Sequence, residues 1–190
     1  EKGKFENAPI GFRWSDDDGY TWSRASLIQP VNDPGFLGMS VTRMCETASG
    51  AWLLGSHAAD WSKKPLETQQ YILRSEDQGE PWHLLPGARK VGWSVPEYNR
   101  MDEGRPIWLQ GSEVFFMART PAGQIWTSRS HDDGRSWSDP KPSSLVHPDA
   151  PPMVFPSSDR KTLINFFHNR HTGTQYTGLS GTMHGLKARA

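Results

Sequence analysis

The sequence predicts an all-β fold built from propeller-type blades of four strands, and three observations predict it. An eight-residue pattern recurs three times at near-constant spacing, strand-like runs sit at similar places around each copy, and no stretch shows convincing helical periodicity. The pattern is Ser-x-Asp-x-Gly-x-x-Trp, at residues 15–22, 75–82 and 130–137. Its serines stand 60 and then 55 residues apart, and four fixed positions recurring three times at that spacing are not a chance event.

Each octet has the chemistry of a tight turn. A short Ser or Asp side chain holds nearby backbone N–H groups, Gly supplies a positive φ, and Trp is expected to fold back as an apolar plug. The runs Ile10-Gly11-Phe12-Arg13-Trp14, Gln70-Tyr71-Ile72-Leu73-Arg74 and Gln124-Ile125-Trp126-Thr127-Ser128-Arg129 each lead into an octet. A further run precedes the second and third copies, at 50–54 and 112–117, and another, at 161–167, follows the third. Short strands, Gly/Pro/Asp-rich turns and this period fit four-stranded blades. At a period near 57 residues, 190 residues make about 3.3 blades, so the whole chain, 1–190, is read as one partial propeller domain.

Composition narrows the partners. Lys and Arg number 21, as do Asp and Glu, so no overall field attracts phosphate backbones or anionic lipid, and neither nucleic acid nor membrane is expected. The longest apolar runs, 51–54 and 114–118, fall far short of the roughly 20 residues of a spanning helix. Cys45 is alone, which excludes an intrachain disulfide and metal sites built on paired cysteines. Asp16-Asp17-Asp18-Gly19 raises a calcium loop, but Trp14 stands where its first ligand would be and the other octets have fewer carboxylates. His168 and His171 are read as loop histidines rather than a metal pair; no metal or cofactor is expected.

The three octets resemble the Asp-boxes of sialidases and related BNR-repeat proteins, whose fold is a six-bladed β-propeller, and the resemblance spans essentially the whole chain. Asp102-Glu103-Gly104, then Gly111, then Arg119, then the octet at Ser130 is similar to the sialidase order of a Glu opening one strand, a turn, a strand ending in Arg and an Asp-box. The family's usual Asn-Glu-Pro is replaced on both sides of the Glu. The resemblance implies Glu103 as the base that activates a tyrosine nucleophile, and Arg119 as one of three arginines clamping a sialate carboxylate. The chemistry suits those types: a carboxylate nucleophile would be repelled by the substrate's own carboxylate, and an arginine fork grips a carboxylate with two parallel bonds.

Repeat phase places counterparts of Glu103 near Thr42-Arg43 in the blade before and near Asp149-Ala150-Pro151 in the blade after, all at one end of the axis. Arg43 and Asp149 are therefore candidate binding residues. Arg189 is favoured over Arg170 as the third clamp arginine, and Tyr98 and Trp93 are candidate sugar-stacking walls, with a core role preferred for Trp93.

The expected function is hydrolysis of terminal sialic acid, or a related sugar acid, from glycans. Neither the general acid nor the tyrosine nucleophile is found here, so the chain is read as a middle segment, inactive alone. The alternative is a non-catalytic propeller that binds glycans or proteins. Open propeller edges also predict self-association of two or more copies. Glu1 in place of Met, with no leader before it, reads as a processed form or an excerpt. Secretion or a periplasmic location is implied by the resemblance alone.

Overall fold

The computed structural model describes residues 7–39 and 44–167. Arg43, Arg189, Arg170, His168 and His171 lie outside the described residues. The described chain is a succession of antiparallel strands, with a single short 3-10 turn at Arg89–Val91 and no α-helix. The first two strands, β1 (Gly11–Phe12) and β2 (Ser26–Leu27), form a hairpin. A complete blade follows, β3 (Met44–Glu46), β4 (Trp52–Asp60), β5 (Glu67–Asp77) and β6 (Glu80–Leu85), paired in chain order. The second complete blade is β7 (Asp102–Gln110), β8 (Glu113–Arg119), β9 (Gln124–Ser130) and β10 (Lys141–Val146). A last hairpin consists of β11 (Met153–Pro156) and β12 (Leu163–Phe166).

The octets fix what the hairpins are. Octets 75–82 and 130–137 join the third strand of a complete blade to its fourth, and octet 15–22 joins β1 to β2. The first hairpin is thus the outer half of a blade. The last hairpin, whose turn holds Arg160 at φ 57° where the equivalent turns hold Gly50 at 84° and Gly111 at 50°, is the inner half of another. Two whole blades and two halves amount to about three. Among the first strands, β7 approaches both β3 and β11, as inner strands set around a common axis would.

Each seam between blades has its own apolar core. Leu53, Ile72, Val95, Met101, Val114 and Phe116 are buried between the complete blades. Ile10, Ile28, Tyr71, Leu73, Trp82 and Leu84 fill the seam with the first hairpin, and Ile107, Met117, Ile125 and Val154 the seam with the last. Packing on both faces explains why burial in β5 is continuous from Gln70 to Ser75 rather than alternating, around the apolar Tyr71-Ile72-Leu73.

Inside the octets the predicted hydrogen bonds are present. Ser15 Oγ accepts the N–H of Gly19 at 2.8 Å, and Asp17 accepts both the N–H of Thr21 (2.8 Å) and its hydroxyl (2.6 Å). Gly19, Gly79 and Gly134 all have positive φ. The plug role is corrected for one tryptophan: Trp82 is buried, but Trp22 is 59 % exposed. No preceding blade covers it among the described residues.

Candidate functional site

The start of β7 is where the blades converge on a charged cluster. Asp102 pairs across the sheet with Arg119, and the register shifts before Arg105 pairs with Met117, so the strand bulges at Glu103 and Gly104. Glu103 sits at φ 51°, a left-handed conformation that a residue with a Cβ adopts only when its surroundings hold it there. The holders belong to the preceding blade. Glu103 N–H donates to Nδ1 of His57 (3.3 Å), and Gly104 N–H donates to Oε1 of Gln70 (2.8 Å). Gln70 is fully buried and anchored by its own amide, which donates to the carbonyls of Ser56 and Tyr71, each at 2.6 Å. Two residues earlier on each strand, the Thr68 hydroxyl exchanges hydrogen bonds with both backbone groups of Met101.

Crowding explains the glycine after Glu103. A Cβ at Gly104 would collide with the Phe116 ring and Gln70, and a Cβ at Gly55 would collide with the Gly104 carbonyl. The bulge is pressed against β4 and β5 too closely for a side chain at either position.

Two guanidinium groups and three carboxylates meet there. Arg119 donates from Nη1 to Glu103 Oε2 at 2.8 Å and from Nε to Asp149 Oδ1 at 2.6 Å, with Asp102 Oδ1 at 3.6 Å. Arg100 donates from Nε to Asp102 Oδ2 at 2.9 Å and from Nη1 to Asp149 Oδ2 at 3.0 Å. Asp102 is nearly buried, while the side chains of Arg100, Glu103, Arg119 and Asp149 keep about a fifth of their surface exposed. Burial opposes the charge of Arg119, but hydrogen bonds to Asp149 and Glu103 and the field of Asp102 outweigh it and hold the cation more firmly than usual.

His57 is buried beside them. Desolvation pushes its pKa below the ordinary value, against the attraction of Asp102 and Glu103. A neutral ring is also what the geometry requires, since Nδ1 accepts the Glu103 N–H and needs its lone pair free. Its position follows from the repeat. Trp52 and Val114 each pair with the serine of an octet, Ser75 and Ser130, so His57 and Arg119, five residues on, hold the same register place in successive blades.

The cluster therefore brings together Glu103, Arg119 and Asp149 from the candidates read in the sequence. Tyr98 stands in the adjoining turn 96–99, partly exposed, with no hydrogen bond from its side chain to the cluster among the described residues. Trp93 is a core residue, packed on Phe116 and Trp137 at ring distances of 5.4 and 6.2 Å. Sequence reading missed Arg100, Asp102, His57 and Gln70. For Arg100 and Asp102 the signal was the density of charge beside Glu103; for Gln70 and His57 only the fold brings them there.

Chemically, Glu103 has one oxygen tied to Arg119 and the other, Oε1, without a hydrogen bond among the described residues. Such a carboxylate can accept a proton from a hydroxyl. With His57 neutral, three carboxylates against two arginines leave the cluster one negative charge in excess.

A family model of the BNR repeat-like domain matches residues 1–175. The chain belongs to that family. Its fold is similar to that of a protein of unknown function from Dyadobacter fermentans (18 % identity, TM-score 0.53, covering 77 % of this chain and 41 % of that one). It is also similar to a variant of the NanB sialidase from Streptococcus pneumoniae (18 % identity, TM-score 0.50, 72 % of this chain and 19 % of that one). A leech intramolecular trans-sialidase complexed with 2,7-anhydro-Neu5Ac matches at 19 % identity and TM-score 0.45, over 70 % of this chain and 19 % of that one. No curated protein sequence matches the chain. The fold of this BNR-family chain is thus a sialidase-like β-propeller, about three blades' worth, and the chain spans about a fifth of the length of the NanB sialidase and about two fifths of the Dyadobacter protein.

Proposed function

We propose that these blades form part of a sialidase-like exo-glycosidase that removes terminal sialic acid, or a related sugar acid, from glycans. Glu103 is the base that deprotonates a tyrosine nucleophile, and Arg119 is one of the arginines that bind the substrate carboxylate. The tyrosine and the general acid come from blades other than those described. The observation that carries the reading is the 2.8 Å pair between Glu103 and Arg119 on a strained bulge at the inner end of a blade. A carboxylate held on one side by a guanidinium, with its second oxygen open, is placed to take a proton; the substrate carboxylate competes for Arg119 as it binds.

The test is turnover of a fluorogenic α-sialoside by the complete propeller containing this chain. Glu103→Gln is expected to lower kcat by about 10²–10⁴-fold, the usual worth of a positioned base. Unchanged turnover in that variant removes Glu103 from the role.

A second reading is a glycan- or protein-binding propeller without catalysis. It is favoured by one feature: Arg119 and Arg100 are already engaged by carboxylates, and the cluster carries negative charge where an anionic sugar would have to enter. Binding of a glycan array with no hydrolysis of any member would select this reading.

A further inference from the structure

We propose that His57 and Gln70 are positioning residues for Glu103: two side chains of one blade hold the backbone of the next in the conformation that turns the Glu103 carboxylate toward Arg119. This deepens the catalytic reading and rests on Glu103 being its base. His57 and Gln70 are direct cross-strand partners on β4 and β5. Nδ1 of His57 accepts the N–H of Glu103 at 3.3 Å, and Oε1 of Gln70 accepts the N–H of Gly104 at 2.8 Å. In a regular strand successive N–H groups point to opposite sides, whereas these two both point back at the preceding blade.

The carboxylate depends on that backbone. Asp102 and Glu103 are neighbours in β7, and neighbouring side chains of a regular strand stand on opposite faces. Yet Arg119 has Glu103 Oε2 at 2.8 Å and Asp102 Oδ1 at 3.6 Å. Asp102 is the cross-strand partner of Arg119 and shares its face by the ordinary rule. Glu103 joins it there because its left-handed φ of 51° and the register shift that follows Asp102 break the alternation. Returned to extended backbone, Glu103 would carry its carboxylate to the face away from Arg119.

A left-handed residue with a Cβ costs about as much as one good hydrogen bond contributes, so two bonds outweigh the cost and one barely balances it. Neither acceptor is free to drift. Gln70 is fully buried, and its amide group donates to the carbonyls of Ser56 and Tyr71 at 2.6 Å each, which leaves Oε1 as the end facing Gly104. His57 is buried as well, and its backbone exchanges hydrogen bonds with Met39 in both directions. Arg119, by contrast, does not need Glu103 to stay in place, because its Nε also donates to Asp149 at 2.6 Å. Loss of the clamp therefore moves the carboxylate and leaves the guanidinium where it is.

The test uses the complete propeller containing this chain and its turnover of a fluorogenic α-sialoside. His57→Leu removes the acceptor in a side chain of similar bulk and is expected to lower kcat about 10- to 100-fold. KM should change less than about threefold, since Arg119 stays on Asp149. His57→Asn, whose Oδ1 stands close to the place of Nδ1, should recover most of the loss. A purely structural histidine would give neither the split nor the rescue, its variants losing activity in step with folded protein by circular dichroism. In a crystal of the His57→Leu protein the Glu103 carboxylate should have left Arg119. A left-handed Glu103 still on Arg119 in that crystal overturns the proposal, as does a His57→Asn variant no better than His57→Leu. Gln70→Met should repeat the fall in kcat, and Glu103→Gln separates the two possible failures. If Glu103→Gln lowers kcat while His57→Leu and Gln70→Met do not, the clamp falls and the base stands. If none of the three lowers it, Glu103 is not the base, and the clamp falls with it.

Discussion

Octets 15–22 and 130–137 are nearly the same object in two settings. Gly19 N–H reaches Ser15 and Gly134 N–H reaches Ser130 at 2.8 Å; the Asp–hydroxyl bonds are 2.6 Å in both; the Trp22 and Trp137 indole N–H groups reach Gly19 and Gly134 carbonyls at 3.1 and 3.0 Å. Their surroundings differ. Gly134 and Asp133 are buried against Leu53, Arg74 and Ser49 of the blade before, while Asp18, Tyr20 and Trp22 are exposed. Turn geometry is local and written in the octet; burial is supplied by the neighbouring blade. The recurring glycine therefore does two jobs at 134, one conformational and one steric, and only the first at 19.

The widest gap between the two settings should appear on removing the neighbour's contribution. Arg74→Ala removes the buried cation nearest the Asp133 carboxylate and its bond to the Asp133 carbonyl, leaving the Ser49 hydroxyl and the more distant Arg135, and should cost about 3 kcal/mol in urea unfolding, the low end of what breaking a buried pair costs. A cost below about 1 kcal/mol would mean that the seam rests on its apolar contacts alone. Next come the glycines. Gly19→Ala should cost about 1 kcal/mol for its left-handed backbone, and Gly134→Ala about 2–3 kcal/mol because the new methyl also meets Leu53. Equal costs would erase the steric half of the contrast.

The smallest effect is the acid response, where the octets should behave alike. Hydrogen bonds from the Thr21 hydroxyl and N–H hold Asp17 down to about 2, and those from Ser136 do the same for Asp132 against the opposing effect of burial. A carboxylate whose pKa is lower folded than unfolded stabilises the fold above its ordinary value of 3.8, and that stability fades as the pH drops toward 2. Asp132→Asn should flatten the fall in melting temperature between pH 4 and 2, and Asp17→Asn should flatten it less, its bonds being open to water. Identical slopes in variant and parent would show that the octet aspartates do not set the acid limb.

The period, the turns and the strand runs were legible because each is carried by a few neighbouring residues. The run at 50–54 proves to be the start of a strand reaching Asp60, and β1 proves shorter than its run, because strand length depends on pairing partners that no local pattern encodes. At the site, Glu103 and Arg119 were legible because their order within one blade resembles the sialidase pattern, and Asp149 from repeat phase. His57 could not: counted from the turn glycines, it lies seven residues after Gly50 whereas Arg119 lies eight after Gly111, and only the sheet register aligns them. Gln70 looks like any strand glutamine until the fold places Gly104 against it.

That glutamine has a consequence for how such a protein can evolve. The strand bearing Glu103 is shaped by a side chain that belongs to the previous repeat, so a repeat copied or exchanged by itself would arrive without the part that shapes it. The inheritable module is the seam, the outer half of one repeat together with the inner half of the next.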